Sequence, residues 1–324
     1  LFRQVQGFIN ALKPRNNLFF VPGQKFYIIA PQQKLTSDKR RNMMSYIHSL
    51  YSETKSGFFI SLILILLCPA ILPGQCLPYQ NACTDGEKIV FNVTYNWGPI
   101  WIKAGYVTFT SELSEYKGSP AWHLTSYGRT YSSFEFLYKV RDTYETWIDT
   151  GNFQTLEFRR YIYESGYTLQ NTSWFDYRNE VVYSNTKIGK KPLRTDTLPM
   201  KPCTFDMLSS CYFVRSMNLD TLKVGDRFPV HVSIEDSVYT VPVTYRGIEV
   251  VMNEDGIKYR CKKFSATMVQ GTIFEEDKDA FIWITDDDNR IPVYVEAKII
   301  VGYVKAFLKE AKGLKKPMKE VVVE

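Results

Sequence analysis

Histidines, clustered carboxylates and cysteines carry most protein chemistry, and here they are sparse where chemistry would need them dense. Downstream of residue 75 there are two histidines, His123 in "AWHLTSY" and His231 in "FPVHVSI". Each sits singly in a strand-like run, and neither has the clustered partners that a His-based triad or a zinc site requires. No G-x-S-x-G elbow, phosphate-cradling glycine loop or H-E-x-x-H helix is present. Asp142 and Glu145 in "VRDTYET" have opposite parity on a strand, so they would face opposite ways. Alternation places Asp142 with Tyr144, and Arg141 with Thr143 and Glu145, which reads as solvated strand faces with an Arg141–Glu145 surface pair. The acidic run "TDDDNR", residues 285–290, could offer oxygen ligands to calcium, but lacks the glycine and distal glutamate of a twelve-residue calcium loop. Asp and Asn also favour tight turns, and a hairpin turn is the simpler expectation. No metal or cofactor is expected, and an enzyme is the weaker reading.

Aromatic residues give the stronger signal. Trp97, Trp101, Tyr106, Phe109, Tyr131, Phe134, Phe136, Tyr138, Tyr144 and Trp147 crowd into one fifty-residue region. Aromatic residues belong in strand cores, but "SSFEFLY" lies between two strands, where connections usually run over the surface. It reads as a lid, with Phe134, Phe136 and Tyr138 on one parity if extended. Together with Trp97 and Trp101 these are the candidate ligand-lining residues. Gly105 in "IKAGYVTF" is a structural candidate, since glycine inside a strand marks a bulge or a close backbone approach. Five cysteines follow residue 75: Cys76, Cys83, Cys203, Cys211 and Cys261. All five cannot pair, and Cys203 and Cys211 are too far apart along a helix to bridge. Cys203 and Cys261 are kept as structural candidates, and no C-x-x-C pair points to redox catalysis.

These residues need elements to hold them. "VFNVTYNW" and "VYTVPVTYR" alternate apolar and polar side chains, which is the period of a half-buried strand. Pro242 removes a ladder donor, so its strand should be at an edge or bulged. "MNEDGIKY" carries Asp-Gly between two such runs, a hairpin signal. Ten to twelve strands joined by short antiparallel connections are expected. "PCTFDMLSSCYFVRSM" alone shows a helical stripe (Phe205, Leu208, Tyr212) and reads as one inserted helix. "PVYVEAKIIVGYVKAFL" turns apolar on both faces, as a strand in the middle of a curled sheet would. The fold class is therefore all-β, a long antiparallel meander curled into a half-barrel or open barrel around one helix. A two-sheet β-sandwich is the alternative.

The most apolar stretch, "GFFISLILILLCPAILPGQC" at residues 57–76, fixes the expected compartment. Its uncharged core is shorter than the roughly 20 residues that span a bilayer. A lysine precedes it and prolines close it, as in a secretory signal peptide; a retained anchor and a lipoprotein signal are the weaker alternatives. The chain then divides into an upstream segment (1–42), read as mis-annotated upstream sequence or a disordered segment, a signal peptide (43–75), a short linker (76–83), one β-rich domain (84–310) and a C-terminal tail (311–324). The formal charge of +6 is concentrated upstream. Residues 1–75 carry nine Lys and Arg against Asp38 and Glu53, leaving 31 basic and 32 acidic residues from Cys76 onward. A net of −1 carries no nucleic-acid footprint.

"DGEKIVFNVTYNWGPIWIKAGYVTFT" resembles the opening of the bacterial family called domain of unknown function 3108, found in exported proteins of Bacteroidota. "YKVRDTYETWID", "PLRTDTLPMKPCTFDMLSSCYFVR", "YRCKKFSATMVQGTIF" and "WITDDDNRIPVYVEAKIIVGYVKAFL" are similar to its later blocks, in the same order. The resemblance covers roughly residues 84–310. It implies an exported, β-rich envelope protein and brings no catalytic residues. The functional expectation is a binding or carrier module for a hydrophobic or lipid-like ligand, located in the periplasm or at the cell surface. A structural or assembly component with an envelope-protein partner is the alternative, and an enzyme acting on a surface polymer a distant third. The two leading readings differ in whether the concave face is open or packed.

Overall fold

Alternating sequence dictates strands, and the computed structural model describes residues 80–97, 100–267, 279–298 and 302–320 as a chain of them. In order they are β1 (Glu87–Trp97), β2 (Ile100–Tyr116), β3 (Ser119–Thr130), β4 (Arg141–Asp149), β5 (Thr155–Glu164), β6 (Tyr167–Asp176), β7 (Val181–Ile188) and β8 (Arg194–Pro199). Then follow β9 (Thr204–Phe205), the helix α1 (Met207–Ser216), β10 (Arg227–Ile234), β11 (Ser237–Met252), β12 (Lys258–Thr267), β13 (Asp279–Thr285), β14 (Pro292–Lys298) and β15 (Tyr303–Lys312). The 57–76 stretch, and with it the expected signal peptide, lies outside the described residues.

All fifteen described strands belong to one sheet, in the order β8 through β1, then β15 back down to β9. This exceeds the expected ten to twelve, in part because the two-residue β9 is too short to show alternation. One continuous sheet also sets aside the sandwich alternative. The first and last strands pair in its middle, Phe91 with Leu308 and Val93 with Ala306. Every pairing is antiparallel except β9 with β10. The sheet curls until its outer strands meet through side chains. Glu235, in the β10–β11 turn, takes an ion pair from Arg160 at 2.7 Å, and its carbonyl accepts the Ser184 hydroxyl at 2.5 Å. Lys201 reaches Thr240 at 2.8 Å across the same gap.

Pro242 faces Pro229 across the β10–β11 pair, and β12 pairing begins only at Val243. The proline therefore stands where the described sheet asks little of its missing donor. Asp255-Gly256 forms the expected hairpin, with Gly256 at φ +83° and Asn253 N donating to Ile257 O at 2.9 Å.

Helix α1 fills part of the concave face. Its N-cap is Asp206, whose side chain accepts from the backbone of Leu208 and Ser209 at 2.7 and 3.0 Å. The Asp206 N–H in turn donates to the Ser209 hydroxyl oxygen at 3.1 Å, closing a capping box. Buried Leu208 and Tyr212 pack among Leu124, Ile148, Phe158 and Phe264 from both halves of the sheet. The far end of α1 is held by Arg215, which donates two bonds at 2.8 Å to the buried Glu87 carboxylate of β1.

Candidate functional site

The site candidates gather at the end of the sheet where β1 turns into β2, β3 into β4, β5 into β6 and β15 begins. Its geometry starts from a bulge. Val93 pairs with Gly105 and Thr94 with Lys103, leaving Ala104 as the extra residue of β2. A Cβ on Gly105 would lie 2.2 Å from the Arg129 carbonyl oxygen, so β2 and β3 approach here as only glycine allows.

The 131–140 connection is anchored at both feet. The Tyr131 ring lies tilted against Tyr106, with centres 5.5 Å apart, and its hydroxyl donates to Asn92 at 2.8 Å. Lys139 and Ser165 exchange bonds at 2.8 Å with the β5–β6 turn. Between them Ser132–Phe134 forms a single 3₁₀ turn, and Tyr138 N donates to Phe134 O at 3.1 Å. The segment is thus wound rather than extended, which corrects the expectation of a common parity. Tyr138 points inward and is buried, Phe134 is half-buried, and Phe136 is 80 % exposed.

Behind this connection lies an apolar wall of Val93, Tyr95, Val107, Tyr138, Val140 and Val304, with Ala280 and Ala297 beside it. Val93, Tyr95, Tyr138, Val140 and Val304 of this wall line a half-open hollow of about 40 Å³ beside Gly105, room for little more than a water. The adjoining wall is polar. Asp142 is fully buried on the concave face and accepts the Tyr163 N–H at 3.3 Å, contrary to the solvated-face expectation. Buried Glu164 accepts the Tyr138 hydroxyl at 3.3 Å. Burial pushes the Tyr138 phenol well above its usual range, and the nearby Glu164 and Asp142 carboxylates push it further. Arg141 pairs with Glu135 instead of Glu145, which turns to His123 at 3.5 Å. Asn171, Ser184 and Thr186 complete the polar wall with side-chain bonds of 2.9 Å. Donors and acceptors face each other there without a nucleophile–base pair, so the wall suits binding and orientation.

Of the remaining candidates, Trp101 stands on the rim, with the Lys305 ammonium 4.3 Å from its ring centre. Trp97 ends β1, and its side chain lies outside the described residues. Cys261 is a buried free thiol, pushed up to about 12 by burial, far from the reactive range. Cys203 is disulfide-bonded, while Cys83 and Cys211 are free, so its partner lies outside the described residues. His123 stacks on Trp147 at 4.4 Å and His231 bonds Thr240 at 3.0 Å. The 285–290 run forms the β13–β14 turn, with Asp287 accepting from the backbone of Asn289 and Arg290, Asp286 paired to Lys262 and Asp288 to Lys316. Among the described residues no group of three or more His, Cys, Asp or Glu could hold a metal.

Sequence reasoning missed Asp142 and Glu164 as a buried pair. Alternation with Tyr144 carried the signal for Asp142; for Glu164 the Val140–Glu164 bridge, a long-range contact, carries it.

The family model for proteins of unknown function DUF3108 matches residues 90–309. The chain belongs to that family. The match spans β1 to β15, so the whole curled sheet is the family's domain. No curated protein matches the chain. Among solved structures it is similar to a beta-barrel-like protein of domain of unknown function DUF1849 from Brucella abortus. That pair shares 9 % identity over 71 % of this chain and 98 % of the other, with a TM-score of 0.46.

Proposed function

We propose that this DUF3108 protein is a binding module that takes a hydrophobic, lipid-like ligand at the 131–140 end of its curled sheet, and that it works outside the inner membrane. The observation that carries the reading is where the exposed apolar residues fall. Ile100, Trp101, Phe136, Leu137, Tyr163 and Tyr303 are all exposed, and by the antiparallel order all stand on tips or strand ends at this one end. The apolar wall that includes Tyr138 lies directly behind them. An apolar rim before an apolar wall, with a polar wall beside it to fix orientation, is the usual character of a hydrophobic ligand site. The short, proline-closed apolar stretch at residues 57–76 supports export.

The experiment is binding of a fluorescent acyl probe to the full chain, with a native mass spectrum of protein purified from its source. Phe136→Ala combined with Trp101→Ala should weaken probe binding at least tenfold at unchanged melting temperature. Each exposed ring that becomes covered by ligand contributes about 1.5–3 kcal/mol. Probe binding that is absent, or indifferent to both substitutions, would overturn the reading. A second reading, an assembly component of the envelope, is favoured by the packing of α1 into the concave face. It predicts a silent probe assay and a protein neighbour captured by cross-linking at the same rim.

A further inference from the structure

The strand order that gathers the apolar rim brings one more hairpin tip to the same end. The tips there follow the sheet: the β1–β2 turn, the 131–140 connection, the β5–β6 turn and the β7–β8 turn at 189–193. Neighbouring tips in such a row stand two strand spacings apart, about 10 Å. The row is fastened along its length. Lys139 N donates to the Ser165 hydroxyl at 2.8 Å, and Gly189 N to Thr168 O at 2.9 Å. At or beside each tip stands an exposed apolar side chain: Trp101, Phe136, Tyr163 and, on the last, Leu193, which is 59 % exposed.

The last tip differs from the others in charge. Its sequence, "KIGKKPLR" at 187–194, sets Lys187, Lys190 and Lys191 in solvent. None of the three makes an ion pair among the described residues. The other cations around the rim are taken. Lys103 is held by Glu254, Lys139 and Arg141 by Glu135, Lys305 by Glu296, and Arg194 by Asp196 and Asp236. Glu235, the other acid of the β10–β11 turn that meets this margin, is held by Arg160. At the opposite end the tail lysines are tied as well, Lys312 to Glu310, Lys316 to Asp288 and Lys315 to the Asn81 carbonyl. The β7–β8 lysines thus stand close together without a counter-charge.

We propose that this end of the molecule rests on an anionic phospholipid bilayer, with Lys187, Lys190 and Lys191 on headgroup phosphates and Leu193 and the rim side chains in the interface. Charge complementarity points to the surface: each lysine near an anionic bilayer strengthens binding about fivefold. A lysine stem also lies along apolar contacts while its ammonium reaches phosphate. The apolar pattern selects a bilayer over an acidic protein or a nucleic acid. Single apolar side chains spread over four tips match a fluid interface, which accepts each of them separately. The surface shares rim residues with the ligand reading above, and the lysines and Leu193 are its own.

Co-sedimentation of the full chain with phosphatidylcholine vesicles, with and without phosphatidylglycerol, tests the proposal. The 57–76 stretch is common to every variant, so differences between variants read the tips alone. The wild type should bind the phosphatidylglycerol vesicles at least tenfold more tightly, and added salt should weaken that binding. Lys187→Gln, Lys190→Gln and Lys191→Gln together should weaken it at least tenfold, and Leu193→Ser severalfold, at unchanged melting temperature. Lys312→Gln with Lys316→Gln, at the opposite end, should leave it as in wild type. Acyl-probe binding in solution should be the same in the lysine variant and the wild type. A protein that takes no probe yet binds vesicles as stated would refute the ligand reading and support this one. Equal binding to both vesicles, indifference to the lysine or Leu193 substitutions, or an equally tight hold on a soluble anionic polymer such as heparin would overturn the proposal.

Discussion

Gly105→Ala is the smallest change that tests the bulge at the foot of the rim. Ordinary contacts of a Cβ begin near 3.4 Å, whereas the added methyl would stand 2.2 Å from the Arg129 carbonyl oxygen and 3.1 Å from its carbon. Both are backbone atoms, so relief requires moving β2 and β3 apart by about 1 Å rather than turning a side chain. Such overpacking costs about 1–3 kcal/mol. Against it stands the gain from replacing a glycine, about 0.4–1 kcal/mol through the unfolded chain. The balance is a loss of roughly 0.5–2.5 kcal/mol, or about 1–10 °C in a domain of this size. Gly151 is the control, since a methyl there meets only the Asp149 side-chain oxygen at 3.3 Å. Calorimetry of Gly105→Ala and Gly151→Ala side by side reads the difference directly. Equal melting temperatures for Gly105→Ala and wild type would refute the close approach, and with it the shape of the apolar wall behind Tyr138.

Three other expectations concern how the helix and the sheet are held. Asp206→Ala removes the α1 cap and the acceptor of the Thr146 hydroxyl, a bond of 2.8 Å. It should cost about 2–4 kcal/mol, with the Leu208 and Ser209 amides exchanging faster, and Asp206→Asn should recover part of it. Glu87→Ala should cost about 3–5 kcal/mol because it strands a buried Arg215, whereas replacing both by apolar residues should restore most of the loss; a double-mutant cycle in urea measures this. Glu249 accepts from Trp283 Nε1 at 2.7 Å and from Lys263 at 2.9 Å, and these bonds hold its carboxyl below the usual range. A carboxylate with a lowered folded pKa stabilises above its unfolded value, about 4.3, and the benefit is lost as pH falls through the folded value. Stability measured from pH 6 to 3 should therefore fall less steeply in Glu249→Gln than in wild type.

Local rules carried the strands, the Asp-Gly hairpin and the inserted helix, because alternation and capping act over a few residues. The apolar stripe of "PCTFDMLSSCYFVRSM" announced α1, although Phe205 falls in β9 and the cap is Asp206, and the glycine of "IKAGY" announced the β2 bulge. What local rules could not carry was anything that depends on distant partners. The burial of Asp142 and Glu164 follows from the curl of the sheet, which puts water on only one face of β4 and β5. Phe136 turned outward because Ser132 and Ser133 begin a 3₁₀ turn, and parity has no meaning in a turn.

The pairing of the first strand with the last also sets a schedule. About 200 residues separate β1 from β15, which at 5–20 residues per second is roughly 10–40 seconds of synthesis. Through that interval β1 has β2 on one side and an open edge on the other, while the meander from β2 to β8 can already form. Only the arrival of β15 joins the early half to the late half, in the centre of the sheet rather than at its margin. The covalent connection between the halves runs instead through residues 200–203, beside the two free margins. A chain reopened there, beginning at β9 and rejoined between β15 and β1, would lay its strands down in their spatial order from first to last. In the natural order, the newborn protein must keep its central strand waiting for a partner that is made last.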